Sequence, residues 1–158
     1  MQDTATNNVV PLNPTVVVEQ PSKEKSSGLD ARWGVRLSKP YHPVSRFFLQ
    51  NYWRLKPHDG ARGLNSSEAM LIIQILDHKW DDRAPFPSLP MLATRMGLSV
   101  RQLRATVKRL EDLGYLRRQP AENGGPNKYH FDGLINALHA MQDADVAAKD
   151  AADQKGAA

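Results

Sequence analysis

The side chains with the clearest chemistry in this sequence are cations in one short segment, residues 99–114. Arg101, Arg104 and Lys108 recur three and four residues apart, so they share one face if the segment is helical. Guanidinium groups on such a face can pair with the edge of guanine or with phosphate oxygens, and an ammonium can neutralise a phosphate. The spacing is therefore typical of a helix that enters the major groove of DNA.

The position of each cation along the segment predicts what it would contact on a duplex. Arg101 lies in the first turn and is predicted to pair with guanine; Arg104, one turn later, would read a base or hold a phosphate. Lys108 and Arg109 lie further along and are predicted to contact the DNA backbone. The alternative for each of these cations is a solvated helix face that binds nothing.

Polar residues around the cations complete the predicted contact set. Gln102 can pair with adenine or can close a capping box with Ser99, and the sequence leaves both roles open. Ser88 and Ser99 stand at predicted helix starts, where backbone N–H groups can face phosphates. The remaining predicted contacts are the small Ala105 among the cations and, on a later hairpin, Lys128 with Asn123 or Asn127.

Residues at the two ends of the cationic segment are typical of helix termini. Ser99 is a favourable N-cap, and Gly114 suits the left-handed position that follows a helix. We therefore predict a recognition helix over residues 99–113. Its buried stripe consists of apolar residues at helical spacing: Leu103, Val107 and Leu110, extended by Val100 and Leu113.

A second helix is predicted immediately before the first. Ser88 can cap it, Pro90 falls in its first turn and Gly97 ends it. Only residues 97–99 separate the two helices, which is the spacing of a helix-turn-helix. Its inner stripe is Leu89, Leu92, Ala93 and Met96.

Residues 115–131 are predicted to form a β-hairpin after the recognition helix. Residues 115–119 and 127–131 have strand character, and the Gly- and Pro-containing stretch 120–126 between them favours a turn. A hairpin in this position is a wing.

These features resemble the winged helix-turn-helix domains of bacterial and phage regulators and replication-associated proteins. The resemblance covers roughly residues 62–135. It is carried by Pro87-Ser88, Leu92-Ala93, Met96 to Ser99, Arg101, Leu103, Val107-Lys108, Leu110-Glu111, Leu113 to Tyr115, and Asn127 to Tyr129. It implies a mainly α fold with a small β-hairpin, binding to double-stranded DNA, and transcription regulation. Replication or partition of a plasmid or phage genome is the close alternative, and a protein-interaction adaptor that uses the fold without DNA is another.

The rest of the chain is predicted as flanking structure. Residues 1–29 have the composition of a disordered tail, and 30–60 are an aromatic-rich extension with one helix over 44–55. The winged domain spans 61–133. Its first helix is capped by Asn65 and Glu68 and is predicted to end near Trp80. Phe86 is a candidate for a short first strand. A C-terminal helix and frayed tail occupy 134–158.

Two elements of this flanking structure are candidates for contacts between copies of the chain. The helix over 44–55 either packs on the core of its own chain or forms a partner interface. We expect a monomer or a homodimer, the latter through residues 44–55 or 134–141.

Composition excludes several classes of protein. The seven cations and two anions of residues 95–118 give that segment a net charge of +5, against +4 for the whole chain. The chain has no cysteine, no histidine pair at i, i+4 and no phosphate-binding glycine motif, so we predict no metal site, cofactor, small-molecule substrate or enzymatic activity. The lack of cysteine and of a long apolar run fits a cytoplasmic protein without a membrane span.

Overall fold

The computed structural model describes Arg32 and residues 42–56 and 62–156. In chain order its elements are α1 (Arg46–Asn51), a 3-10 helix (Tyr52–Arg54), α2 (Ser66–Leu76), α3 (Leu89–Met96), α4 (Val100–Asp112), β1 (Arg117–Gln119), β2 (Lys128–His130) and α5 (Asp132–Gly156). The fold is mainly α with one antiparallel hairpin after the α3–α4 pair, which confirms the predicted winged helix-turn-helix class. The predicted tail at 1–29 lies outside the described residues.

Helix α2 begins with the predicted capping box. Asn65 Oδ1 accepts from the Glu68 N–H and Glu68 Oε2 accepts from the Asn65 N–H, both at 2.8 Å. The helix ends at Leu76, four residues before the predicted end near Trp80. The Lys79 N–H donates to the Leu76 carbonyl in a tighter turn. No apolar side chain of residues 77–83 joins the core, so packing does not extend the helix.

The helix-turn-helix itself has the predicted ends. Ser88 caps α3, and Gly97 closes it with φ of 64°, in the left-handed region. Ser99 caps α4, and Gly114 follows that helix with φ of 73°. Both glycines occupy a conformation that costs other residues a steric penalty, so each helix ends at a position fixed by local chemistry.

One hydrophobic core joins α4 to α2 and α3. Leu103, Val107 and Leu110 of α4 are fully buried, as predicted, together with Leu92 and Ile72. Met96 and Leu113 of the predicted stripes, and Ile73 and Leu76 of α2, are partly buried against this core. Aromatic and aliphatic residues before α2 also enter it: Phe48 and Leu55 are buried, and Val44 and Tyr52 pack against them.

The predicted helix over 44–55 is therefore part of this core. It forms a short α1 followed by the 3-10 helix, rather than one continuous helix. Leu49 and Trp53 are its large apolar side chains that remain exposed.

The wing pairs Arg117 with His130 and Gln119 with Lys128, so its strands are shorter than predicted. The expected strand at Phe86 does not form. Instead the Tyr129 N–H of β2 donates to the Pro85 carbonyl at 2.9 Å. Pro85 and Pro87 flank Phe86 and have no N–H to offer, so a continuous strand ladder cannot develop there.

Helix α5 continues far beyond its apolar part. Leu134 is buried and Leu138 and Met141 are partly buried, so these residues are used within the chain. The predicted frayed tail is helical as far as Gly156. Its alanine-rich sequence has high helix propensity, and Asp145 accepts two hydrogen bonds from Arg54, at 2.6 and 2.7 Å.

Candidate nucleic-acid interface

The residues predicted to meet DNA lie mostly on the side of α4 that faces away from the core. At about 100° per residue, four of them fall within roughly 100° of arc. We call this surface the outer face of α4; it consists of Arg101, Arg104, Ala105 and Lys108, all exposed. Because the core stripe of Leu103, Val107 and Leu110 anchors the opposite side, the outer face is held toward solvent.

Both arginines of the outer face lack a partner among the described residues. Within the described part of the chain, Arg101 and Arg104 form no side-chain hydrogen bond or ion pair. Lys108 donates from Nζ to Asp112 Oδ1 at 3.0 Å, but both side chains are well exposed, at 73% and 61%. An exposed pair of this kind contributes little stability, so a phosphate can replace Asp112 at low cost.

Gln102 is engaged in the N-cap of α4. Its Oε1 accepts from the Ser99 N–H at 3.0 Å and from the Ser99 hydroxyl at 2.8 Å, while Ser99 Oγ accepts from the Gln102 N–H. Bidentate pairing with adenine requires this same Oε1 as an acceptor. The structure therefore shows the capping alternative, and reading adenine would require the box to open.

A groove beside the outer face brings together three of the predicted contacts. Ser88 at the start of α3, Arg104 of α4 and Asn127 of the wing line one open groove of about 400 Å³. The Met91 N–H donates to Ser88 Oγ at 3.4 Å, which fixes the helix start. Asn123 and Lys128 are exposed elsewhere on the wing. The groove therefore connects the α3 start, the outer face and the wing on one side of the domain.

Arg109 does not share this side with the others. Its Nε donates to Glu68 Oε1 at 2.7 Å, and its Nη2 donates to the Arg62 carbonyl at 3.3 Å. It sits about 80° around the helix from Arg101, on the flank that faces α2. Arg109 therefore forms an intramolecular ion pair and does not face the same side as the other predicted DNA contacts.

The partner of Arg109 is the buried carboxylate of Glu68, which was predicted from the sequence only as a capping residue. Glu68 also accepts two hydrogen bonds from Arg62, at 2.8 and 3.0 Å, besides the Asn65 N–H. We call Glu68, Arg62, Arg109 and Asn65 the carboxylate cluster. A signal was present in the sequence: Glu68 lies four residues before Ile72, on the apolar stripe of α2, where a charge needs a partner.

The carboxylate of Glu68 is held in its charged form. Burial by itself raises the pKa of Glu68, but hydrogen bonds from Arg62, the Asn65 N–H and Arg109 outweigh it, so the pKa falls below the ordinary glutamate value. The cluster is therefore an ion pair that joins α2, α4 and the residues before α2.

Two further cations of the basic segment are also paired. Arg118 donates two hydrogen bonds to Glu111, each at 2.7 Å, and Arg95 pairs with Asp77 at 3.0 Å. The charge count from sequence therefore overstates the free positive charge. Arg101, Arg104 and Arg117 are the cations of residues 95–118 that have no partner among the described residues.

Comparison with known proteins adds an independent finding. Residues 62–116 match a family model described as a helix-turn-helix domain. The match spans α2, α3 and α4, begins at Arg62 of the carboxylate cluster and stops before β1. It supports DNA binding as the general activity of this segment. No curated protein matches the chain.

The described residues hold no group of three or more acidic or histidine side chains able to bind a metal ion. None of the helices in the described ranges combines the length and the apolar composition needed to cross a membrane.

Proposed function

We propose that this protein is a cytoplasmic, sequence-specific regulator of transcription that places α4 in the major groove of double-stranded DNA. Arg101 reads a base, Arg104 reads a base or holds a phosphate, and the wing contacts the flanking backbone. The observation that carries the proposal is that Arg101 and Arg104 on the outer face have no partner among the described residues, whereas Arg109 and Arg118 of the same basic segment are paired internally.

The free arginines matter because of what binding would cost. An arginine that already holds a protein carboxylate must give it up before it can bind DNA, whereas Arg101 and Arg104 give up only water. The outer face can therefore meet a duplex without rearranging the domain. The α3 start and the wing flank it through the groove that Ser88, Arg104 and Asn127 line.

Selection from a random duplex pool with the full chain tests this proposal. We expect recovery of a defined sequence motif, because base-reading arginines discriminate by about 1–3 kcal/mol per contact. Arg101→Ala should relax the preference at one position of that motif, while Arg46→Ala, an exposed arginine of α1, should leave it unchanged. Recovery of no motif, or the same motif from Arg101→Ala, would contradict base reading by α4.

The motif's position in a genome separates the two DNA-based roles. A transcription regulator should have sites that overlap or precede promoters, and deletion of the protein should change expression of the adjacent genes. Sites confined to a replication origin or partition locus would favour the replication alternative. An adaptor would bind a protein with little salt dependence and would bind no duplex.

A further inference from the structure

A second concave site lies beside the DNA-facing groove and is lined by aromatic side chains. Trp80 and Phe86 border a pocket of about 200 Å³ together with His78 and Pro87. Pro87 also lines the groove that contains Arg104, so the pocket and the groove are adjacent. We call this site the aromatic pocket. The proposed contacts of α4 with a duplex do not use it.

The two aromatic rings lie at the protein surface. Trp80 is 76% exposed and Phe86 is 56% exposed, although both are large apolar side chains. Phe86 stands between Pro85 and Pro87, which are both buried and restrict the backbone on either side. The pocket therefore exists before any ligand arrives, which lowers the cost of binding.

The loop that forms the pocket is fastened by its own hydrogen bonds. Lys79 Nζ donates to the carbonyls of Asp81 and Arg83, at 2.8 and 3.3 Å. Arg83 donates to Asp81 from its backbone N–H and from Nε, at 2.8 and 2.7 Å. Asp81 and Arg83 pair with each other, so their charges largely cancel at the rim of the pocket.

His78 gives the pocket a polar wall. Its Nε2 is shielded from solvent and has no hydrogen-bond partner among the described residues. Buried polar atoms are nearly always satisfied, so an orphan of this kind needs an explanation. Because His78 lines the pocket, rotation of its imidazole would let a ligand with a polar edge supply the missing partner.

We propose that the aromatic pocket binds a neutral, planar heteroaromatic ring the size of a nucleobase. The size fits, because an apolar cavity of about 150 Å³ accommodates one benzene ring. Aromatic side chains are stacking platforms for bases, and the imidazole can hydrogen-bond to a ring edge. The ring can come from a free base or nucleoside, or from an unstacked base of a strand that continues past the groove.

Titration of adenine into the isotope-labelled full chain tests the site. We expect a saturable, millimolar-range shift of the Trp80 indole N–H resonance, assigned with Trp80→Phe, and no shift of the Trp53 indole. Trp80→Ala and Phe86→Ala should each weaken binding about tenfold, by saturation-transfer measurements on adenine, because base–aromatic stacking has that magnitude. Trp53→Ala, which removes another exposed tryptophan, is the matched control and should bind as the wild type does.

Two further probes identify the source of the ring. A single-stranded oligodeoxyadenylate that binds more than about tenfold tighter than adenine would assign the pocket to a base within a strand; equal affinity per base would assign it to a free base. Both results support the proposal. No saturable shift with adenine, equal binding by Trp80→Ala, or a clear preference for N-acetyltryptophanamide over adenine would overturn it. Because Arg101 and Arg104 are absent from the pocket, duplex binding can succeed or fail independently.

Discussion

Arginines on two sides of α4 differ in whether they have an ion-pair partner within the described part of the protein. On the outer face, Arg101 and Arg104 have no partner among the described residues, whereas on the flank toward α2, Arg109 is tied to Glu68 at 2.7 Å. Around the helix axis, Arg109 lies only about 80° from Arg101 and about 140° from Arg104. The difference shows that the side chains of the neighbouring helix decide whether an arginine is available to bind a ligand. The buried carboxylate of Glu68 in α2 keeps Arg109 in an intramolecular ion pair.

The largest effect should come from removing the carboxylate that makes the two sides different. Glu68→Ala removes hydrogen bonds to Arg62, Asn65 and Arg109 and leaves an unfilled position at the core, so we expect a loss of about 2–4 kcal/mol in the free energy of unfolding. Urea denaturation followed by circular dichroism measures it. Ser67→Ala, at an exposed neighbouring position of α2, is the control and should change stability by less than about 0.5 kcal/mol.

If Glu68→Ala were as stable as Ser67→Ala, the carboxylate cluster would not hold α4 in place. Arg109 would then be paired with Glu68 without any consequence for the stability of the fold.

The pH dependence of stability gives a second, smaller effect from the same carboxylate. Because the pKa of Glu68 is lower in the folded state than in the unfolded state, its contribution is complete above about pH 4.3, the ordinary glutamate value, and disappears as the pH falls through the folded value. Wild type and Glu68→Gln should therefore differ at neutral pH and converge in acid. Denaturation midpoints across this range measure the convergence, and a constant difference would show that the cluster acts without its charge.

The smallest predicted effect concerns Lys108. Unlike Arg101 and Arg104, it has a partner among the described residues, but that partner, Asp112, is exposed and not buried as Glu68 is. Lys108→Gln should change the free energy of unfolding by less than about 0.5 kcal/mol. It should reduce the slope of log affinity against log salt concentration by about one unit, as expected for one lost phosphate contact. Fluorescence anisotropy with a duplex at several salt concentrations measures this slope. An unchanged slope would remove Lys108 from the interface.

Features fixed by neighbouring residues could be predicted from the sequence. Asn65, Ser88 and Ser99 cap helices as expected, and Gly97 and Gly114 end them, because caps and left-handed residues depend on a few adjacent positions. The order of helices and hairpin followed from the same signals.

Features that depend on distant residues could not be predicted in the same way. Glu68 and Arg109 are 41 positions apart, and no periodicity indicates that pairing. The absence of a strand at Phe86 was foreseeable, since prolines stand on both sides, but the contact between Pro85 and Tyr129 that replaces it depends on the fold. The length of α5 likewise rests partly on the ion pair of Asp145 with Arg54.

We propose that DNA is bound by the outer face of α4 and not by the flank that pairs with Glu68. The most direct measurement compares duplex affinity and its salt dependence for Arg101→Ala/Arg104→Ala and for Arg109→Met, each confirmed to be folded. The double variant should lose at least about 2 kcal/mol of binding free energy and flatten the salt slope, while Arg109→Met, though less stable, should keep the wild-type slope. A wild-type slope in the double variant, or a flattened slope in Arg109→Met, would contradict the account.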